Sequence, residues 1–213
     1  MIVGRFGVDL NGGLVNSFEG KRKALIAVTG RRIGSEWFAG KHVVEEGTLF
    51  PSLDCTASAA PITAAEYQEA MRRYYETDKF FEWSELMPGA LEVLSRLADR
   101  GCEIRIVSSV LGLDDGRVWA LIQKYRLPVS QVIATRKKPK TAHYDECDAV
   151  VDNEVGHLLS VRDRTVRILL FPSEGTTGYR RITPPKEMPA GILSAVGWEK
   201  AARYLIGTPV TLH

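Results

Sequence analysis

The sequence has little of what would commit a chain to a membrane, a disulfide scaffold or a nucleic acid. Its three cysteines, Cys55, Cys102 and Cys147, are odd in number and lack the spacing of a disulfide framework, so a reducing, cytoplasmic compartment is the simplest expectation. No apolar run approaches membrane-spanning length. The opening MIVGRFGVDL passes straight into a strand-like pattern rather than through a charged and then apolar leader, so no secretory segment is expected. Neither sign of charge is in excess: 28 basic against 26 acidic residues leave +2, which favours neither a nucleic-acid nor a membrane partner but is compatible with small anionic ligands. No internal repeat is visible. With 213 residues and ordinary apolar content, the chain can bury one substantial core, and its function must reside in a local site.

Against those absences stand five short β-prone apolar runs, RFGVDL, CEIRIVSS, QVIAT, DAVVDN and VRILLF, each bounded by polar or turn residues as buried parallel strands are. Helical patterns separate them. PGALEVLSRLADRG carries Leu91, Leu94, Leu97 and Ala98 on one expected face, with Pro88 near its start and Gly101 as its stop. DDGRVWALIQKYRL spaces Val118, Leu121, Ile122 and Tyr125 for a helix, with Asp114 or Asp115 as N-cap. VGWEKAARYLIG reads as a last helix and the Pro-rich ITPPKEMPAG as a surface loop. This alternation predicts an α/β fold, a Rossmann-like parallel sheet with right-handed crossovers.

Residues 15–86 interrupt the alternation. A mixed stretch and the Ser/Ala/Pro-rich PSLDCTASAAP precede TAAEYQEAMRRYYE, where Thr63 and Glu66 fit a capping box and Tyr67, Met71 and Tyr74 share a face. The expected organisation is a core of residues 1–14 and 87–213, with a small, partly helical cap of residues 15–86 inserted after the first strand. Such an insertion would overhang the strand's C-terminal end, where open α/β sheets bind ligands.

Four groups lie just past strand ends: Asp9 with Asn11, Ser108 with Ser109, the basic RKKPK run, and Asp152-Asn153-Glu154. A parallel sheet brings all four to one edge. Together they suit phosphoryl transfer: a carboxylate nucleophile, a hydroxyl and a lysine for phosphate oxygens, and a second carboxylate for Mg2+. Gly12 and Gly13 would let backbone N–H groups approach the phosphate.

In that order the groups resemble the haloacid dehalogenase (HAD) superfamily of aspartate-nucleophile hydrolases, and most closely its 5'(3')-deoxyribonucleotidase branch. The similar segments are YYETDKFFEWSELMPGALEVLSRLADRGCEIRIVSS, VWALIQKYRLPVSQVIATRKK, DAVVDN and the late VGWEKAARYL. The resemblance implies a HAD-like core, a Mg2+ cofactor and a small phosphorylated substrate or ligand, such as a nucleotide. It implies Asp9 as nucleophile and metal ligand, Ser108 as the phosphate-binding hydroxyl with Ser109 beside it, and Asp152 as a metal ligand or its support. Lys138 is the best match to the charge-neutralising lysine, with Lys140 its rival.

Two departures stand out. The family's acid/base Asp, two residues after the nucleophile, is here Asn11, whose amide exchanges no proton near neutral pH; the expected loss is roughly 10²- to 10⁴-fold unless another group replaces it. The Asn11 backbone carbonyl can still serve Mg2+. The second is Asn153, where the branch has another Asp after Asp152, and one negative charge fewer weakens Mg2+ binding. Three readings follow for Asn11: an enzyme with another base, a descendant kept for binding a phosphorylated ligand, or an amide introduced to trap one. The second amide, Asn153, weighs against the third.

Other candidates are weaker. His143 and Cys147 lie four apart but show no further metal ligands. His42 and His157 have no evident partner. Trp37, Phe38, Tyr67, Tyr74 and Tyr75 suit a core better than base stacking.

Overall fold

The computed structural model describes residues 4–33, 62–109, 115–135, 138–173, 176 and 187–207. In chain order its elements are β1 (Arg5–Asp9), β2 (Val15–Asn16), α1 (Ser17–Thr29), α2 (Ala64–Tyr75), α3 (Lys79–Trp83), β3 (Glu85–Leu86), α4 (Ala90–Ala98), β4 (Glu103–Ser108), α5 (Asp115–Tyr125), β5 (Gln131–Ala134), α6 (Thr141–Tyr144), β6 (Ala149–Asp152), α7 (Val155–Leu159), β7 (Val166–Phe171), β8 (Ile192–Val196) and α8 (Gly197–Ile206). Six strands form one sheet in the order β5-β4-β1-β6-β7-β8, and every neighbouring pair is parallel. No helix among the described residues is long and apolar enough to cross a membrane.

Strand periodicity divides the apolar residues between the two faces of this sheet. Phe6, Val8, Ile104, Ile106, Ala149, Val151, Ile168 and Leu170 join the larger core, which α4, α5 and α8 cover. The alternate positions Val107, Val150 and Leu169 pack with Tyr144, Cys147 and Leu158 on the other face. Gly7 belongs to that second face, where a Cβ would stand 3.1 Å from the Cys147 sulfur and 3.2 Å from the Tyr144 ring. By the same alternation Asp9 and Asp152 fall on the Tyr144 side.

The five expected strands form. The sixth, β8, was not expected: Ile192 and Ala195 are buried but Leu193 and Val196 are partly exposed, so this edge strand lacks the continuous apolar run of the inner ones. In α4 the buried face is Ala90, Val93, Leu94 and Leu97, so the expected face is rotated and Leu91 points outward, 39% exposed. The face of α5 follows expectation, with Val118, Leu121 and Ile122 buried; its expected cap at Asp114 or Asp115 lies outside the described side chains.

Between β2 and β3, which pair antiparallel, α1, α2 and α3 pack on one another. The capping box of α2 is formed, Thr63 Oγ1 accepting from the Glu66 N–H at 3.2 Å and Glu66 accepting from the Thr63 N–H at 2.8 Å. Helix α1 was not legible because its buried face is built from Ser17, Phe18, Gly20, Ala24 and Leu25, in which Phe18 and Leu25 are the only large apolar residues and give little periodicity. Gly20 is small for a reason: a Cβ there would lie 2.3 Å from the Tyr74 ring.

Candidate active site

Register brings the two buried carboxylates together. Phe6, Gly7 and Val8 of β1 pair with Ala149, Val150 and Val151 of β6, so the next residues, Asp9 and Asp152, end adjacent strands at the sheet's C-terminal edge. Both are buried, at 5% and 0% exposure. Lys140, at the start of α6 and 2% exposed, lies between them, donating to Asp9 Oδ1 at 2.5 Å and to Asp152 Oδ2 at 3.0 Å.

Asp152 is the better satisfied of the two. Its Oδ2 also accepts from the Tyr144 hydroxyl at 2.7 Å and lies 3.1 Å from His157 Nδ1, while its Oδ1 accepts from the Glu154 N–H at 2.8 Å. One ammonium cannot neutralise two buried carboxylates, and the chain distributes the deficit unequally. Burial opposes ionisation at Asp152, but the His157 bond and the Lys140 charge hold its carboxyl below the usual range. At Asp9 burial outweighs Lys140, and with the added repulsion of Asp152 its carboxyl is pushed up to about 7. The His157 imidazole is raised by its bond to Asp152. Lys140 is raised despite burial, because both carboxylates favour its charge.

The turn after β1 is closed by backbone bonds from Leu14 N–H to the Asp9 carbonyl, 2.9 Å, and from Gly12 N–H to the Val15 carbonyl, 2.8 Å. Gly12 was expected to offer that N–H to phosphate, but the turn has already taken it. Glycine is required there for two reasons: φ is +89°, and a Cβ would stand 2.5 Å from the Asn153 amide. Asn11 Oδ1 accepts from the hydroxyl of Tyr75, on α2, at 3.4 Å, and Asn11 Nδ2 is buried without a hydrogen-bond partner.

Asn153 bears on the implied cation. With its amide nitrogen turned toward Asp9 and Asn11, it donates to Asp9 Oδ2 and to the Asn11 carbonyl, each at 3.1 Å. Rotating the amide by half a turn exchanges nitrogen for oxygen at the same place. An amide oxygen then stands 3.1 Å from both Asp9 Oδ2 and the Asn11 carbonyl oxygen, and such oxygen donors are the ligands Mg2+ takes. All are hard oxygen donors, and the uncompensated carboxylate charge favours a cation, so these residues fit Mg2+. Both Asp152 oxygens are already hydrogen-bonded.

The remaining predicted residues occupy the same edge. Ser108 is buried at the end of β4, one residue beyond Val107, the register partner of Asp9. Ser109, Lys138, Lys140, Thr141, His157 and Ser160 border an open cleft of about 490 Å3. Lys138 is exposed at its rim; its N–H donates to the Thr135 carbonyl at 2.9 Å and its carbonyl accepts from Thr135 Oγ1 at 2.8 Å. Two residues later the chain enters α6 and carries Lys140 inward. The geometry therefore places Lys140 on the carboxylates and not Lys138.

Tyr144, His157 and Tyr75 were missed as site residues. Tyr144 follows Lys140 by four, one helical turn, and His157 follows Asp152 by five across the start of α7; neither spacing is distinctive. The Cys147 thiol donates to the His143 backbone carbonyl at 3.4 Å. No group of three His, Cys, Asp or Glu suited to a metal occurs among the described residues. His42, Cys55, Trp37 and Phe38 lie outside the described residues.

No protein-family model and no curated protein matches the sequence. Solved structures do match. A protein from Lactobacillus delbrueckii subsp. bulgaricus, provisionally assigned as a phosphoglycolate phosphatase, superposes with a TM-score of 0.58 at 14% identity, covering 98% of this chain and 100% of its own. A predicted phosphoglycolate phosphatase from Haemophilus somnus 129PT gives 0.56 at 14%, covering 96% and 97%. A HAD-superfamily hydrolase from Ehrlichia chaffeensis gives 0.50 at 12%, covering 96% and 97%. These likenesses establish the fold as the HAD-like, Rossmann-type α/β fold.

Proposed function

We propose that the protein is a Mg2+-dependent phosphomonoester hydrolase that transfers the phosphoryl group of a small substrate to Asp9. The observation that carries this reading is the Lys140 ammonium bridging Asp9 and Asp152 at the C-terminal sheet edge. The HAD-like fold and the phosphatase assignments of its structural neighbours support it.

In this reading an Asp9 oxygen attacks phosphorus, and Lys140 neutralises charge on the phosphoryl oxygens as it develops. Ser108 and Ser109 hold the phosphate from the end of β4. Asp9 Oδ2, the Asn11 carbonyl and the Asn153 amide oxygen would hold Mg2+, with Asp152 fixing Lys140. When bound, the ion supplies positive charge against the phosphate. Tyr144 and His157 keep Asp152 ionised and oriented. Residues 15–86 act as a cap over the site, and the deoxyribonucleotidase-like segments make nucleoside monophosphates the first substrates to try.

A second reading is favoured by one observation, the amide at Asn11: a protein that binds a phosphorylated ligand with little or no turnover. Phosphate release from nucleoside monophosphates, phosphoglycolate and simple phosphate esters, with and without Mg2+, separates the two. Release abolished by Asp9→Ala supports the hydrolase. Ligand-dependent stabilisation with no release supports the binding protein.

A further inference from the structure

We propose that Asn11, oriented by Tyr75, adapts this site to phosphoryl donors whose leaving group departs as a stable anion, such as acyl and aryl phosphates, rather than to alkyl phosphates. The inference rests on the phosphatase reading and narrows its substrate class.

The Asn11 amide faces Tyr75 on α2. Tyr75 is 7% exposed and packs against Tyr74 and Phe80, with ring centroids 4.7 and 6.0 Å away. From there its hydroxyl donates to Asn11 Oδ1 at 3.4 Å. With the oxygen so engaged, the amide nitrogen is left buried and without an acceptor. An unsatisfied buried donor costs free energy until a ligand supplies an oxygen. The NH2 group can hydrogen-bond such an oxygen, but it has no proton to give away.

Among the described residues, the side chains that contact Asp9 supply no substitute. Lys140 is committed to both carboxylates, and the Asn153 amide is again a group without a transferable proton. One shell further out, Asp152 accepts four hydrogen bonds, and His157 is held between Asp152 and Glu154, its Nε2 3.5 Å from the Glu154 carboxylate.

The consequences follow from the two half-reactions. In the first, an Asp9 oxygen bonds to phosphorus, the bond from phosphorus to the leaving oxygen breaks, and the electron pair stays on that oxygen. A carboxylate or an acidic phenolate departs in this way and takes any proton from water afterwards. An alkoxide does not, because it needs protonation as the bond breaks. In the second half-reaction water bonds to phosphorus, the bond to Asp9 breaks, phosphate leaves and the proton passes to bulk water. Without a base at position 11 this step is slow, so phosphorylated Asp9 accumulates whenever the first step is fast.

The test uses the full chain with Mg2+ beside N11D, D9A and Y75F. The donors are acetyl phosphate, glycerol phosphate and a series of phenyl phosphates from unsubstituted to dinitro-substituted. The protein should show a burst of phenol release whose rate rises steeply with leaving-group acidity. N11D should flatten that dependence and raise glycerol phosphate hydrolysis about 10²- to 10⁴-fold, while changing the nitrophenyl first step by less than about tenfold. Y75F should slow the first step in the Asn11 chain but not in the N11D background; an equal loss in both removes Tyr75 from the account. Asp9-dependent turnover at similar rates on glycerol and nitrophenyl phosphates would overturn this inference and leave the phosphatase reading intact. No Asp9-dependent transfer from any donor would overturn both.

Discussion

Trp198 Nε1 donates to the Gly13 carbonyl at 2.9 Å, tying the first turn of the last helix to the turn that follows Asp9. Trp198 is 1% exposed and stands edge-on to Phe6 of the central strand, ring centroids 6.2 Å apart. Residues nearly the whole chain apart thus fix the backbone that presents Asp9. Trp198→Phe keeps most of the packing but leaves the Gly13 carbonyl buried and unpaired, a cost of about 1–3 kcal/mol. Thermal unfolding should show a Tm lower by several degrees, at about 2–4 °C per kcal/mol. An unchanged Tm would mean that the carbonyl finds another partner.

Gly20→Ala tests the seam between α1 and α2. Alanine improves intrinsic helix propensity by about 1 kcal/mol. Its Cβ, however, would meet the Tyr74 ring at 2.3 Å, and that ring is pinned by a 2.6 Å bond between its hydroxyl and Ser84. Overpacking of this kind costs about 1–3 kcal/mol, so the variant should be the less stable one in chemical denaturation. A gain in stability would show that the helices separate easily.

Lys140 and Lys138 give contrasting outcomes. Lys140→Ala removes the cation between two buried carboxylates, and should lower the rate of phosphate release about 10²- to 10³-fold and stability by roughly 3–5 kcal/mol. Lys138→Ala, at the exposed rim, should lower the rate less than about tenfold, with an effect that fades at high salt. Rates corrected for folded fraction decide between them, and the reverse ranking would move the site lysine to position 138.

The pH dependence of stability in the metal-free protein follows from Asp9. Its carboxyl, pushed up to about 7 by burial, holds a proton more tightly in the folded chain than in the unfolded one, where about 3.9 is normal. Folding stability contributed by this group is therefore full below about 3.9 and is lost as pH rises through about 7. Asp9→Asn, a neutral isostere, should raise Tm in EDTA more at pH 8 than at pH 4.5. A smaller gain at pH 8 would mean that Lys140 alone compensates the carboxylate.

Legibility in the sequence followed burial. Strands β1, β4, β5, β6 and β7 announce themselves as short apolar runs, whereas β8 sits at the sheet edge with Leu193 and Val196 partly exposed, and carries a diluted signal. Helix α1 hid because Gly20 and Ser17 interrupt its inner face, Gly20 being needed to clear the Tyr74 ring. In the site, strand ends were readable: Asp9, Ser108 and Asp152 lie where a parallel sheet must put them. The lysine was not, because one turn around Thr135 decides whether residue 138 or residue 140 points inward. Tyr144, His157 and Tyr75 reach the site through tertiary contacts that leave no spacing rule in the chain.

The central claim is that Asp9 accepts the phosphoryl group. Acid quenching after brief incubation with acetyl phosphate and Mg2+, followed by peptide mass spectrometry, should find a phosphoryl mass increment on the peptide containing Asp9. That increment should be discharged by hydroxylamine, absent in Asp9→Asn, and more persistent in this protein than in N11D. A protein that releases phosphate from its substrate with no label on Asp9 under any quench, or equally well as Asp9→Asn, would contradict the account.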